Sequence, residues 1–160
     1  MQDFFVGLIL YWNYIGVFLA GFFSTVLPVP LPSPTFILAF FAGKILNPLF
    51  VAFAGGFGAA IGECIGYYTG ALGKHFLVKK YPERLREIEE RFERYRAELI
   101  IFIFAATPLP FDVVGVFSGS IGYPFHKFFF ANLFGKLVKY GILAYAGFYG
   151  LSWISELFSS

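Results

Sequence analysis

The sequence predicts an all-α integral membrane protein. The expected plan is an inverted repeat of a re-entrant helical hairpin plus a transmembrane helix, with a charged amphipathic helix between the repeats. Three observations predict it: long uncharged stretches, two proline-broken interruptions, and a recurrence of order and spacing between the halves. Of 160 residues, 58% are hydrophobic, 22% aromatic and 14% charged, whereas a soluble domain carries about 25% charged residues. Phe4 to Gly43 has no charge, Ile45 to Gly73 only Glu63, Leu99 to His126 only Asp112, and Tyr140 to Ser155 none. Much of the rest is gathered in one island, Lys74 to Glu98.

This distribution excludes several function classes. Basic residues in the island alternate with acidic ones, so the net charge of +2 does not indicate a nucleic-acid partner. A single cysteine, Cys64, excludes an internal disulfide framework and a cysteine-cluster metal site. The start, Met-Gln-Asp-Phe-Phe, lacks the positive segment of a cleaved signal, so the first apolar stretch is expected to remain as a span.

The elements follow in order. Residues 1–23 form an N-terminal transmembrane helix, with Tyr11, Trp12 and Tyr14 at one level. Residues 24–47 form the first re-entrant hairpin, because Pro30, Pro32 and Pro34 prevent one continuous helix. Broken backbone at membrane depth survives only where protein or a watery cavity satisfies it. Residues 49–73 are long enough to span, and glycines at 58, 62, 66 and 70 recur on one helical face as a packing seam. Residues 74–98 form the amphipathic helix, with Leu85, Ile88, Phe92, Tyr95 and Leu99 on one stripe. Its Lys and Arg content places it on the cytoplasmic side. Residues 99–122 form the second hairpin, broken at Pro108 and Pro110, and residues 125–151 form the last span.

Val29-Pro-Leu-Pro32 recurs as Thr107-Pro-Leu-Pro110. Phe41-Ala-Gly-Lys-Ile-Leu-Asn-Pro48 recurs as Phe117-Ser-Gly-Ser-Ile-Gly-Tyr-Pro124, 76 positions on. A hairpin returns to its own side, so each unit crosses the membrane an odd number of times and the second must be inverted. Inverted repeats with broken helices meeting near the midplane are a plan of transporters. The offset of 76 sets Glu63 opposite Lys139.

Ionisable groups within spans are costly, and mark functional sites with partners to be named. Glu63 either serves transport or forms a structural ion pair with Lys136 or Lys139. Asp112 sits at a hairpin tip, where it caps backbone or exchanges protons. Lys136 and Lys139 form a polar stripe with Asn132 and Tyr140, suited either to an anionic headgroup or to reaching the interface. His75 and His126 are interfacial rather than metal ligands. No phosphate loop, nucleophile elbow or cofactor motif is found, so neither an enzyme nor a cofactor is expected.

The ordered set resembles the DedA/VTT-domain membrane proteins, which include the SNARE-associated Golgi protein group, and is most similar to a YqaA-like branch. The resemblance runs from about Ser24 to Tyr149. It rests on the proline-rich first hairpin with Ala42-Gly43, Gly62-Glu63-Cys-Ile-Gly66-Tyr67-Tyr-Thr-Gly70, Pro108-Leu-Pro-Phe-Asp112, Ser118-Gly119, and Phe129 with Lys136 and Lys139-Tyr140. It implies facing re-entrant hairpins and movement of phospholipids or polyprenyl-phosphate carriers, in some members with proton coupling. By position, Glu63 and Asp112 match family acids, and Lys139-Tyr140 matches a basic-Tyr pair. Two features depart from the family: Pro34-Thr35 stands where many relatives have a glutamate, and no arginine follows Pro110.

The expectation is therefore a lipid flippase or scramblase in a prokaryotic plasma membrane, acting on membrane lipids, with a homo-dimer as the expected oligomer. Its substrate-binding residues would be Glu63, Asp112, Lys136, Lys139 and Tyr140. The alternatives are a proton- or cation-coupled carrier of a small solute and a non-transporting scaffold.

Overall fold

The computed structural model describes residues 2–26, 34–80, 83, 90, 96–107 and 112–159; side chains are described for residues 7, 11–26, 39–74, 83, 90, 96–107 and 113–150. Pro30, Pro32, Pro108 and Pro110 lie outside the described residues, as does most of the charged segment 74–98. Pro34 and Asp112 are described in backbone only.

Among the described residues every regular element is a helix: α1 (Gln2–Val26), α2 (Pro34–Ile45), α3 (Pro48–Lys80), α4 (Ala97–Ala106), α5 (Asp112–Ile121) and α6 (Phe125–Ser159). The stretch expected as an N-terminal span is kinked. Asn13 takes φ 49° and ψ −123° inside α1, a non-helical backbone outside the allowed regions for most residues, which breaks the helix into two. Arg96, just before α4, has a φ of 54°.

Helix α3 starts where its chemistry favours a start. Asn47 accepts a hydrogen bond from the Leu49 N–H through Oδ1 at 3.0 Å, and Pro48 fills the first helical position, where no N–H is needed. The Asn47 N–H donates in turn to the Tyr14 hydroxyl at 3.2 Å, tying α1 to the α2–α3 junction. Removing that acceptor with Tyr14→Phe is expected to cost about 0.5–1.5 kcal/mol, measurable as a lower unfolding midpoint in detergent.

One stretch among the described residues, Pro48–Lys74, is long and apolar enough to cross a membrane. Its outward face carries Phe50, Phe53, Phe57, Ile61, Ile65, Tyr68 and Leu72, all exposed and three or four residues apart. Phe130, Phe134, Val138, Ile142, Tyr145 and Tyr149 form the matching stripe on α6. Continuous exposed apolar stripes of this kind are uncommon on soluble monomers, and here they give the bundle a surface suited to hydrocarbon.

Inside, small residues let backbones meet. Helices α3 and α6 cross antiparallel: Ala52 faces Gly141, Gly56 faces Leu137, Ala60 meets Asn132, and Tyr67 stacks obliquely on Phe128 at 4.9 Å. The glycine seam of α3 serves two neighbours. Gly58 and Gly62 seat the Phe18 and Phe22 carbonyls of α1, whereas Gly70 seats the Val116 carbonyl of α5 and Gly66 lies opposite Gly115. Helix α6 is used in the same way: Gly135 seats the Phe102 carbonyl of α4, and Gly147 seats the Phe40 carbonyl of α2.

The seated contacts recur at similar spacing along the two long helices. Gly58 and Gly135, like Gly70 and Gly147, are 77 residues apart, whereas Phe40 and Val116 are 76 apart. The extra residue lies in the connection. Two residues, Leu46 and Asn47, join α2 to α3, and three, Gly122 to Pro124, join α5 to α6. Gly122 takes a φ of 78° in that longer turn.

Candidate functional site

Two faces build the polar centre. Helix α3 presents Ala59, Ala60 and Glu63, and helix α6 presents Asn132, Lys136 and Tyr140 at four-residue steps, one above another on one face. Alanine and glycine around Glu63 leave room for long polar side chains from α6. The Tyr140 ring lies flat against Gly55, where no side chain would fit.

Lys136 Nζ donates to Glu63 Oε1 at 2.8 Å. Glu63 is 3% exposed and Lys136 4% exposed, so this ion pair is shielded from solvent. Pairing makes it tolerable, since an isolated charge in so apolar a place would cost several kcal/mol (~3–5). Beside it, Asn132 Nδ2 donates to the Ala60 carbonyl at 3.3 Å. Asn132 Oδ1 is buried with no hydrogen-bond donor among the described residues. The hydroxyl of Tyr140 comes next to Ser24 of α1 without completing a hydrogen bond. Thr25, at the end of α1, donates to the Ala59 carbonyl at 3.3 Å, so α1 closes the site from a third side.

Of the residues expected from the sequence, Glu63, Lys136 and Tyr140 come together between α3 and α6. Of the anticipated four-residue stripe, Asn132, Lys136 and Tyr140 are buried, and Lys139 is half-buried, within electrostatic reach of Lys136 and Glu63. Asp112 opens α5, and its side chain lies outside the described residues. The part played by Asn132 was legible only as a neighbour of the lysines; its four-residue spacing from Lys136 was the available signal. Ser118, named in the sequence only as part of the Ser118-Gly119 motif, is fully buried on α5.

A helical bundle with apolar stripes outside and one shielded ion pair where two antiparallel helices cross has the architecture of a membrane protein. The chain belongs to the VTT domain family, also called DedA: the family's domain profile matches residues 31–149. Its members are generally membrane proteins proposed to be transporters or flippases. The chain is also 26% identical over 148 residues to an uncharacterized protein of the archaeon Methanocaldococcus jannaschii, covering 89% of this chain and 88% of that one. No solved structure matches it.

Proposed function

We propose that this protein moves lipids between leaflets, passing an anionic headgroup through the Glu63–Lys136 centre while acyl chains stay in the bilayer. The observation that carries the reading is the shielded ion pair with an unpartnered Asn132 Oδ1 beside it. A membrane protein keeps a costly charge pair inside its bundle when the charges have work to do. Lys136 can exchange the Glu63 carboxylate for a lipid phosphate, leaving neither cation nor anion unpaired once Glu63 takes up a proton. Asn132 Oδ1 supplies an acceptor for a headgroup hydroxyl.

The contact pattern supports an inverted repeat around that centre. Tyr14–Val26, α2 and α3 correspond to α4, α5 and α6. Each short helix that follows a proline-rich break packs on the long helix of the opposite half, at Gly147 and Gly70 respectively. An antiparallel crossing exchanged by two-fold correspondence puts the axis across the helices, hence in the membrane plane. On this reading the first hairpin begins near the Asn13 kink rather than at Ser24. The axis passes between Ala59 and Lys136, within about one helical turn, roughly 5 Å, of Glu63. On this reading the ion pair lies at the bilayer midplane, where transporter sites of this plan lie.

The test is reconstitution into liposomes carrying fluorescent phospholipids or a polyprenyl phosphate, with and without a pH gradient. The reading expects protein-dependent movement of at least one lipid class. Lipid movement no faster than in protein-free vesicles, alongside uptake of a soluble solute, would replace it with a solute carrier.

A further inference from the structure

We infer that the groove between the N-terminal halves of α4 and α6 is a binding site for one anionic phospholipid. It is separate from the Glu63–Lys136 centre and does not depend on the translocation reading. The groove has a volume of about 590 Å³. One end is charged, with Arg96, His126 and Lys127, and the rest is apolar, with Phe102, Phe130 and Phe134.

The two ends select the occupant. Glu98 also lies at the charged rim and faces Lys127 across 3.6 Å, with both side chains more than 40% exposed. Its own backbone N–H, then Tyr123 and Lys127, hold its carboxyl below the usual carboxylate range, so it stays ionised. With Arg96 and Lys127 cationic, the rim retains one net positive charge when His126 is neutral. So exposed and long a pair contributes little by itself, and Lys127 can turn to a phosphate at small cost. Arg96 offers the planar fork that binds phosphate in two-pronged fashion.

The apolar part fixes the ligand as a lipid rather than a soluble phosphate. From the rim, exposed Phe130, Phe134, Val138 and Ile142 continue down α6 at four-residue spacing. Phe130 to Ile142 covers about 18 Å of helix, against ~15 Å for the hydrocarbon of one leaflet. A headgroup held at Arg96 and Lys127 therefore lays an acyl chain along a continuous aromatic and aliphatic track.

The experiment places a tryptophan in the groove by Phe134→Trp, with Trp12 and Trp153 changed to phenylalanine. The full-length protein is reconstituted in nanodiscs containing brominated phosphatidylglycerol or, at equal mole fraction, brominated phosphatidylcholine. Quenching by the phosphatidylglycerol should be several-fold greater, and the excess should vanish in Arg96→Gln/Lys127→Gln. Equal quenching by the two lipids would mean ordinary annular contact and would overturn the site. Absence of quenching by either lipid would overturn it too, and would point to the chain's own charged segment as occupant. If Phe134→Trp does not fold, Phe130→Trp reports from the same groove, and native mass spectrometry of the unaltered protein should show selective retention of one phosphatidylglycerol.

Discussion

Replacing Lys136 with methionine is expected to lower stability by about 3–5 kcal/mol, because it strands the Glu63 carboxylate in a shielded site. Both residues are almost fully buried and lie 2.8 Å apart, and the bundle's outer faces meet hydrocarbon rather than water. The second change Glu63→Gln should recover most of the loss, since a neutral amide can share the site with Asn132 at far lower cost. A double-mutant cycle followed by thermal unfolding in detergent measures the coupling. Additive losses, with no recovery in the double variant, would show that the pair does not interact as its geometry indicates.

A second large effect is expected at the two backbone contacts that hold the short helices. Gly70→Val and Gly147→Val each drive a side chain into a carbonyl, of Val116 and of Phe40 respectively. A backbone group has less freedom to yield than a side chain, so each should cost about 3 kcal/mol, the upper part of the usual range for overpacking. The two losses should be similar if the halves correspond as proposed. Gly73 provides the control. Nothing lies within 4 Å of a side chain added there, so Gly73→Ala should be neutral or stabilising by up to ~1 kcal/mol through helix propensity. Unfolding midpoints of the three variants in one detergent decide the matter.

The legible and illegible parts of this molecule divide along physical lines. Charge-free stretches and Asn47-Pro48 announced helices and the start of α3, because burial and capping act through residue type and local spacing. The alternative of a Glu63–Lys136 ion pair could be named, since a buried acid needs a base. The kink at Asn13 could not: a single non-helical residue in an apolar run disturbs no periodicity. The one-residue difference between the α2–α3 and α5–α6 connections was equally hidden, because Pro48 and Pro124 align perfectly at 76 while the helices they introduce do not. Of the adjacent Lys139 and Tyr140, it is Tyr140 that is fully buried, while Lys139 is half-buried. Which of several polar residues on α6 faces inward depends on the packed partner, here the alanines and glycines of α3, and only the assembled bundle settles it.

The most direct test of the central claim is lipid movement by the neutral pair, Glu63→Gln/Lys136→Met, in the same liposome assay as the unaltered protein. Translocation through the ion-pair centre predicts a variant that folds and reconstitutes normally but moves lipid no faster than protein-free vesicles. Undiminished lipid movement by the well-folded variant would contradict it, and leave Glu63 and Lys136 as structural partners only.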